Sequence, residues 1–302
     1  MEEFLQQLIN GLAVGGIYAL IALGYTMVYG VLKLINFAHG DLFTMGAYFG
    51  LTLLITMGIG DMVTGPLGIV LVAIMVMGLV AVMGFLLERV AYRPLRNSDR
   101  LAAVVSALGA SIFFQNAIML VYGSDAQVYH MSVQPSDFSL PVMGMNISAS
   151  SIIMIGTSLV LMCTLYWFIN RTRTGMAIRA VANDQAAAKL MGIDVNRIIA
   201  LVFMIGPALG GVAGMTVGMC YGKIDYNMGW TYGLKAFTAA ILGGIGNIPG
   251  AMLGGILLGV VESLGEAYIS GAWKNAISFF VLILILLFRP TGLLGERVAD
   301  KL

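Results

Sequence analysis

Phe4-Leu-Gln-Gln-Leu-Ile-Asn-Gly-Leu-Ala-Val-Gly-Gly-Ile-Tyr-Ala-Leu-Ile-Ala-Leu-Gly-Tyr-Thr-Met-Val-Tyr-Gly-Val-Leu32 runs without a charged side chain. A helix that crosses a bilayer needs about 20 mostly apolar residues, and this stretch exceeds that. It has no basic start and is too long for a signal-peptide core, so it reads as a first span kept in the mature protein. Further uncharged runs follow at Leu42–Gly60, Met62–Leu87, Leu101–Ser124, Phe138–Asn170, Ile198–Gly222, Ala236–Val261 and Asn275–Phe288. Hydrophobic residues make up 59% of the 302 positions and charged residues only 10%, against roughly 25% charged in soluble domains. The sequence therefore predicts one all-α, polytopic transmembrane bundle over 1–302, with about eight spans.

Charge sets the expected orientation. Arg89, Arg93, Arg96 and Arg100 fall between the third and fourth runs, and Arg171, Arg173, Arg179, Lys189 and Arg197 form a second basic cluster. The loop Tyr122–Ser148 carries no Lys or Arg, only Asp125 and Asp137. Cytoplasmic loops collect Lys and Arg, which puts 88–100 and 171–197 inside and 122–148 outside, with the N-terminus outside. Arg289, Arg297 and Lys301 ask for an inner C-terminus, yet eight single crossings would leave it outside. Gly243-Gly-Ile-Gly-Asn-Ile-Pro-Gly250 offers the missing crossing, because Gly and Pro at this density break a helix. An ordinary short loop between two spans is the plainer reading of the same residues. A break at membrane depth must be lined by protein or a water-filled cavity, so Gly244, Gly246 and Asn247 become pathway candidates.

Gly206, Gly210, Gly214 and Gly218 recur every fourth residue, a spacing that lets helix backbones approach closely in lipid. Gly11/Gly15, Gly250/Gly254 and Gly255/Gly259 repeat the theme more weakly. Pro207 either kinks this glycine-rich helix or sits near its start. Lys33, Asn36, His39 and Asp41 lie between the first two runs. Ionisable groups at membrane depth are functional candidates; the alternative is a short cytoplasmic turn with Asp41 capping the next helix. Glu262, Glu266 and Lys274 read as an outer rim, with a role in receiving a partner protein as the alternative.

Several chemistries are excluded. Cys163 and Cys220 have no metal-type spacing, and one His with one carboxylate does not make a metal site. Gly58-Ile-Gly-Asp61 matches an intramembrane aspartyl protease motif, but that reaction needs two carboxylates sharing a proton and no second mid-span Asp exists. Asn146-Ile-Ser148 is a sequon without meaning outside a eukaryotic secretory route. The net charge of +1 gives no reason to expect nucleic acid. No Gly-x-x-x-x-Gly-Lys-[Ser/Thr] is present, so ATP would have to be bound and hydrolysed elsewhere.

The loop 171–197 predicts a folded knob. Thr174 is placed to cap a helix over Gly175–Ala182, and Asn183 or Asp184 to cap a second over Gln185–Met191. Ala186, Ala187 and Ala188 favour helix, Gly192 suits a left-handed cap, and Asp194 or Asn196 would start the next span. Leu190, Met191 and Ile193 are left to dock. A membrane-surface helix is the alternative, weakened by the short length and the small alanine face.

This segment resembles the coupling loop of ABC-importer permeases. Asn10–Tyr25, Ile35-Asn-Phe-Ala-His-Gly-Asp41, Ala239–Gly250 and Phe288-Arg-Pro-Thr-Gly-Leu-Leu-Gly295 resemble LivH-type permeases of branched-chain amino acid importers, so the likeness covers nearly the whole chain. The resemblance implies a permease subunit, not an enzyme, carrying leucine, isoleucine or valine. A second, LivM-like permease would complete the membrane part and two cytoplasmic ATPase subunits would bind ATP and Mg. A periplasmic binding protein would deliver the substrate. It also implies that Asp184, Gln185, Ala186, Ala187, Ala188, Lys189, Leu190, Met191 and Gly192 form the ATPase-coupling element. Asn183-Asp184 departs from the Glu-Asp that relatives commonly carry. Urea and short-amide permeases share much of the pattern, and an ion-coupled secondary transporter is the rival of another kind.

Overall fold

A computed structural model of the chain describes residues 2–56, 66–96, 98–129, 139–142 and 145–295; Asp61, Asp137, Arg297 and Lys301 fall outside them. The elements are α1 (Glu2–Leu32), α2 (His39–Thr56), α3 (Pro66–Leu87), α4 (Arg100–Tyr122), α5 (Ala149–Arg171), α6 (Arg173–Asn183), α7 (Gln185–Leu190), α8 (Val195–Tyr221), α9 (Met228–Gly243), α10 (Ile248–Tyr268) and α11 (Lys274–Phe288). Short strands β1 (Gln127–Val128) and β4 (Lys223–Ile224) pair antiparallel, as do β2 (Ser139–Val142) and β3 (Met145–Ser148). Among the described residues, 7 helices are long and apolar enough to cross a membrane. α2, of 18 residues, is long enough but carries His39 and Asp41 in its first turn, and α9, of 16 residues, is shorter; both pack inside the bundle.

α1 is the axis. Its 31 residues extend about 46 Å at 1.5 Å per residue, and Ile17 and Ala19–Leu23 are wholly buried. The outer helices α3, α4, α5 and α11 turn large apolar side chains outward, among them Leu71, Ile112, Val160 and Phe280. A helix apolar all round suits a membrane span.

The closest seams are built from small residues. α1 and α10 form the most extensive helix pair, with Gly11 and Gly15 facing Gly255 and Gly259. A Cβ on Gly15 would stand 2.9 Å from Ile256 Cα, and one on Gly11 2.7 Å from Val260 Cα. No side chain fits there. The theme expected to be weaker thus makes the larger seam. The Gly206–Gly218 face is split among partners: Gly206 meets Gly24 of α1, Gly210 meets His39, Gly214 meets Phe43, and Gly218 meets Tyr129. Pro207 lies inside α8, where it cannot bond the Phe203 carbonyl; that carbonyl lies against Gly84 of α3.

The apolar run starting at Ala236 begins too late. α9 starts at Met228 and contains Lys235, buried by pairing with Glu262. A charge neutralised inside the bundle looks, in sequence, like a loop. Gly244–Asn247 is a tight turn, and α9 and α10 fold back on each other as a hairpin. The α6–α7 knob lies at the same end of the bundle as this turn. At the opposite end, Tyr129, whose phenol is raised well above its usual range by burial, donates to the Ala47 carbonyl.

Candidate functional site

Thr172, not Thr174, opens the knob: its hydroxyl accepts from Gly175 N–H at 3.0 Å. α6 therefore starts two residues early, at Arg173. Gly175 sits directly on the Phe168 and Ile169 carbonyls, so the chain turns out of α5 with no room for a side chain. Ile178 and Val181 seal the underside of α6. Asp184 caps α7, accepting from Ala186 N–H at 2.8 Å and Ala187 N–H at 3.0 Å. α7 ends at Leu190, one residue short of Met191. Gly192 adopts φ +82°, and Ile193 N–H bonds back to the Ala188 carbonyl at 3.1 Å, closing a left-handed C-cap. Asp194 caps α8 through Asn196 and Arg197 N–H groups.

The knob has one anchored face and one free face. Ala188 is buried, and Gln185 Nε2 donates to the Val31 carbonyl at the end of α1, 2.6 Å away. Ala186, Ala187, Lys189 and Met191 are exposed, and Leu190 is 88% exposed. Beside α7 a groove of about 690 Å³ is bounded by Leu34, Arg96, Lys189 and Asn196. Arg96 crosses it, donating to Asn196 Oδ1 at 2.6 Å and pairing with Glu88. Burial pulls the Arg96 guanidinium below its usual value while Glu88 pulls it back up. Glu88 opens a π-helical turn, Glu88–Tyr92, that continues α3. The start of α8 and the end of α3 are therefore tied by one side chain.

Asn36, His39 and Asp41 lie inside the bundle, not on a surface turn. Lys33, at φ +56°, reverses the chain after α1 and sends it back inward. Asn36 Oδ1 accepts from Ala38 N–H at 3.2 Å and from Tyr92 OH at 3.0 Å. His39 is fully buried, with Nε2 3.1 Å from the Ile21 carbonyl and its ring edge-on to Tyr25. Asp41 sits in the first turn of α2, past its start, and accepts from Gln115 Nε2 of α4 at 2.9 Å. Gly244, Gly246 and Asn247 are elsewhere, at the knob end beside Tyr29. Asn247 caps α10 and donates to the Leu294 carbonyl at 2.8 Å, while Leu293 and Leu294 N–H groups bond the Leu242 and Gly243 carbonyls. The C-terminal segment plugs this turn, and no hydrogen bond joins it to 36–41 among the described residues.

Residues 7–286 match the family described as branched-chain amino acid transport system, permease component. The chain belongs to that family. It is 47% identical to the high-affinity branched-chain amino acid transport permease BraD of Pseudomonas aeruginosa, over 99% of this chain and 98% of that protein. It is 45% identical to LivH of Escherichia coli, over 99% and 97%. Among solved structures, a metal-chelate type ABC transporter in an inward-facing conformation matches 93% of this chain and 82% of that one, with a TM-score of 0.50 at 20% identity; this likeness concerns the fold alone. The protein is a multi-pass membrane permease and a transport component, not an enzyme.

At the end of the permease away from the knob, sequence reasoning saw a rim and missed a network. Glu262, only 1% exposed, accepts from Tyr18 OH at 2.9 Å, Lys235 Nζ at 2.8 Å and Ser278 Oγ at 2.8 Å. Lys274 Nζ lies 3.6 Å from Glu262 and 2.8 Å from Glu266. Four helices, α1, α9, α10 and α11, meet on one carboxylate. The available signal was Lys235, a lone cation closing one apolar stretch and opening the next, which demands a buried partner.

Proposed function

We propose that this permease forms part of the translocation pathway of an ATP-driven importer of branched-chain amino acids, leucine, isoleucine and valine. The knob end faces the cytoplasm, because Arg171, Arg173, Arg179, Lys189 and Arg197 cluster there. If α2 and α9 cross with the other long helices, the N-terminus lies outside and the C-terminus inside, in a bacterial inner membrane. A second, LivM-like permease, two ATPase subunits holding ATP and Mg, and a periplasmic binding protein complete the system.

The observation that carries this reading is the knob itself: a capped helix, Asp184 to Gly192, with an exposed Leu190–Met191 tip and a hydrogen bond from Gln185 into the end of α1. Beside the groove, the exposed Leu190–Met191 tip suits docking to a partner protein, and its attachment to α1 and α8 gives a partner's motion a route into the bundle. Alternating access follows: ATPase closure moves 184–192, α8 carries the displacement past His39 and Phe43, and the buried Asn36–Asp41 segment is the part that rearranges. The Gly244–Asn247 turn, proposed from sequence as part of the pathway, instead closes the α9–α10 hairpin under the C-terminal segment. Buried His39 and Asp41 are also what an ion-coupled transporter would use.

One experiment separates the two readings. The permease is reconstituted in vesicles with the partner subunits purified from its host, and leucine uptake is followed with ATP, then with a proton or sodium gradient alone. Uptake that needs ATP and is lost when Leu190 and Met191 are both replaced by Asp supports the importer. Gradient-driven uptake by this chain without any ATPase overturns it.

A further inference from the structure

The network around Glu262 borders a recess that the translocation reading leaves unused. It opens among the ends of α1, α5, α8, α10 and α11 away from the knob and encloses about 440 Å³. Glu262 forms part of its wall, but both carboxylate oxygens are committed to Tyr18, Lys235 and Ser278. The exchangeable groups are Lys274 and Glu266, whose side chains are 34% and 48% exposed and 2.8 Å apart. Ala13, Val14 and Met154 supply an apolar wall below them.

The charges balance: Lys235 and Lys274 against Glu262 and Glu266. A cation or an anion entering alone would leave a net charge in a half-buried site, which is costly. A zwitterion would not. When the Lys274–Glu266 pair opens, a ligand carboxylate replaces Glu266 at the lysine and a ligand ammonium replaces Lys274 at the glutamate, so both ionic contacts are retained. Glu262 keeps Lys274 poised at the recess from 3.6 Å away.

We propose that this recess is a receiving site for an aliphatic α-amino acid, its carboxylate on Lys274, its ammonium on Glu266 and its side chain along Ala13, Val14 and Met154. The assignment rests on the proposed cargo and names where on this chain it first binds. It makes Lys274 and Glu266 substrate-contacting residues.

Isothermal titration calorimetry of leucine into the solubilised permease–ATPase complex, without the binding protein, tests it. Loss of one charge-assisted hydrogen bond corresponds to about a tenfold weaker Kd. Lys274→Ala and Glu266→Gln are each expected to weaken leucine by at least about that factor, and Lys274→Arg to restore it to within about threefold. Leucinol, which lacks the carboxylate, should bind the wild-type complex about tenfold more weakly than leucine and should lose nothing further in Lys274→Ala. Absence of leucine binding, binding unchanged in both variants, or equal binding of leucine and leucinol overturns the proposal. Vesicle uptake keeps the two readings apart. ATP-driven leucine uptake without recess binding sinks only the recess; recess binding without uptake sinks only the cargo assignment.

Discussion

The two ends of the bundle are held together in opposite ways. Away from the knob, four helices converge on the buried Glu262 carboxylate and its ion pair with Lys235. At the knob end the buried ion pair, Glu88 with Arg96, stays within the end of α3, and the ties between elements are hydrogen bonds: Gln185 to Val31, Arg96 to Asn196, and Asn247, Leu293 and Leu294 across the α9–α10 turn. Removing one partner of a buried ion pair strands a charge and costs far more than losing one hydrogen bond at the rim. The difference implies a fixed end and a movable one, with the movable end where the knob is.

The contrast breaks first at Glu262. Glu262→Ala leaves Lys235 buried and unpaired and should cost about 3–5 kcal/mol, read as a large fall in the melting temperature of the purified protein. If it costs no more than Gln185→Ala, the two ends are not different in kind. The next test lies along the rigid seam. Gly15→Val forces a side chain onto the Ile256 backbone and should cost about 1–3 kcal/mol or prevent insertion altogether. Smaller again is Asp184→Ala, which removes the α7 cap and about 1 kcal/mol of local helix stability; hydrogen exchange should rise across 185–191 while the global melting temperature stays put. A global fall would mean that the knob is part of the fixed body. The smallest effect belongs to Gly78→Ala, where nothing lies within 4 Å of the added carbon, and a change beyond about 0.5 kcal/mol would be unexpected.

Most of the fold was legible because membrane spans announce themselves by length and lack of charge: α1, α3, α4, α5 and α8 fall where the apolar runs are. α9 was misplaced because Lys235 looks like a loop residue until its partner is known. The knob was legible from cap chemistry, with Asp184, Gly192 and Asp194 in their expected roles. Thr172 and Thr174 offer the same hydroxyl two residues apart, and only the contact of Gly175 with the end of α5 decides between them. The inward path of Asn36, His39 and Asp41 was left open, since a turn at the surface and a segment folded into the bundle share one polar composition. Glu88 was passed over because its partner Arg96 lies in a basic loop where every Arg reads as topology.

The plug formed by Leu293 and Leu294 on the α9–α10 turn has a consequence for biogenesis. Those residues are synthesised after α11, so the Leu242 and Gly243 carbonyls stay unclaimed while the hairpin is already in the membrane. Final closure of the hairpin waits for the ribosome to finish this segment. A nascent permease stalled before Leu293 should present an open turn that quality-control proteases can tell from the completed one.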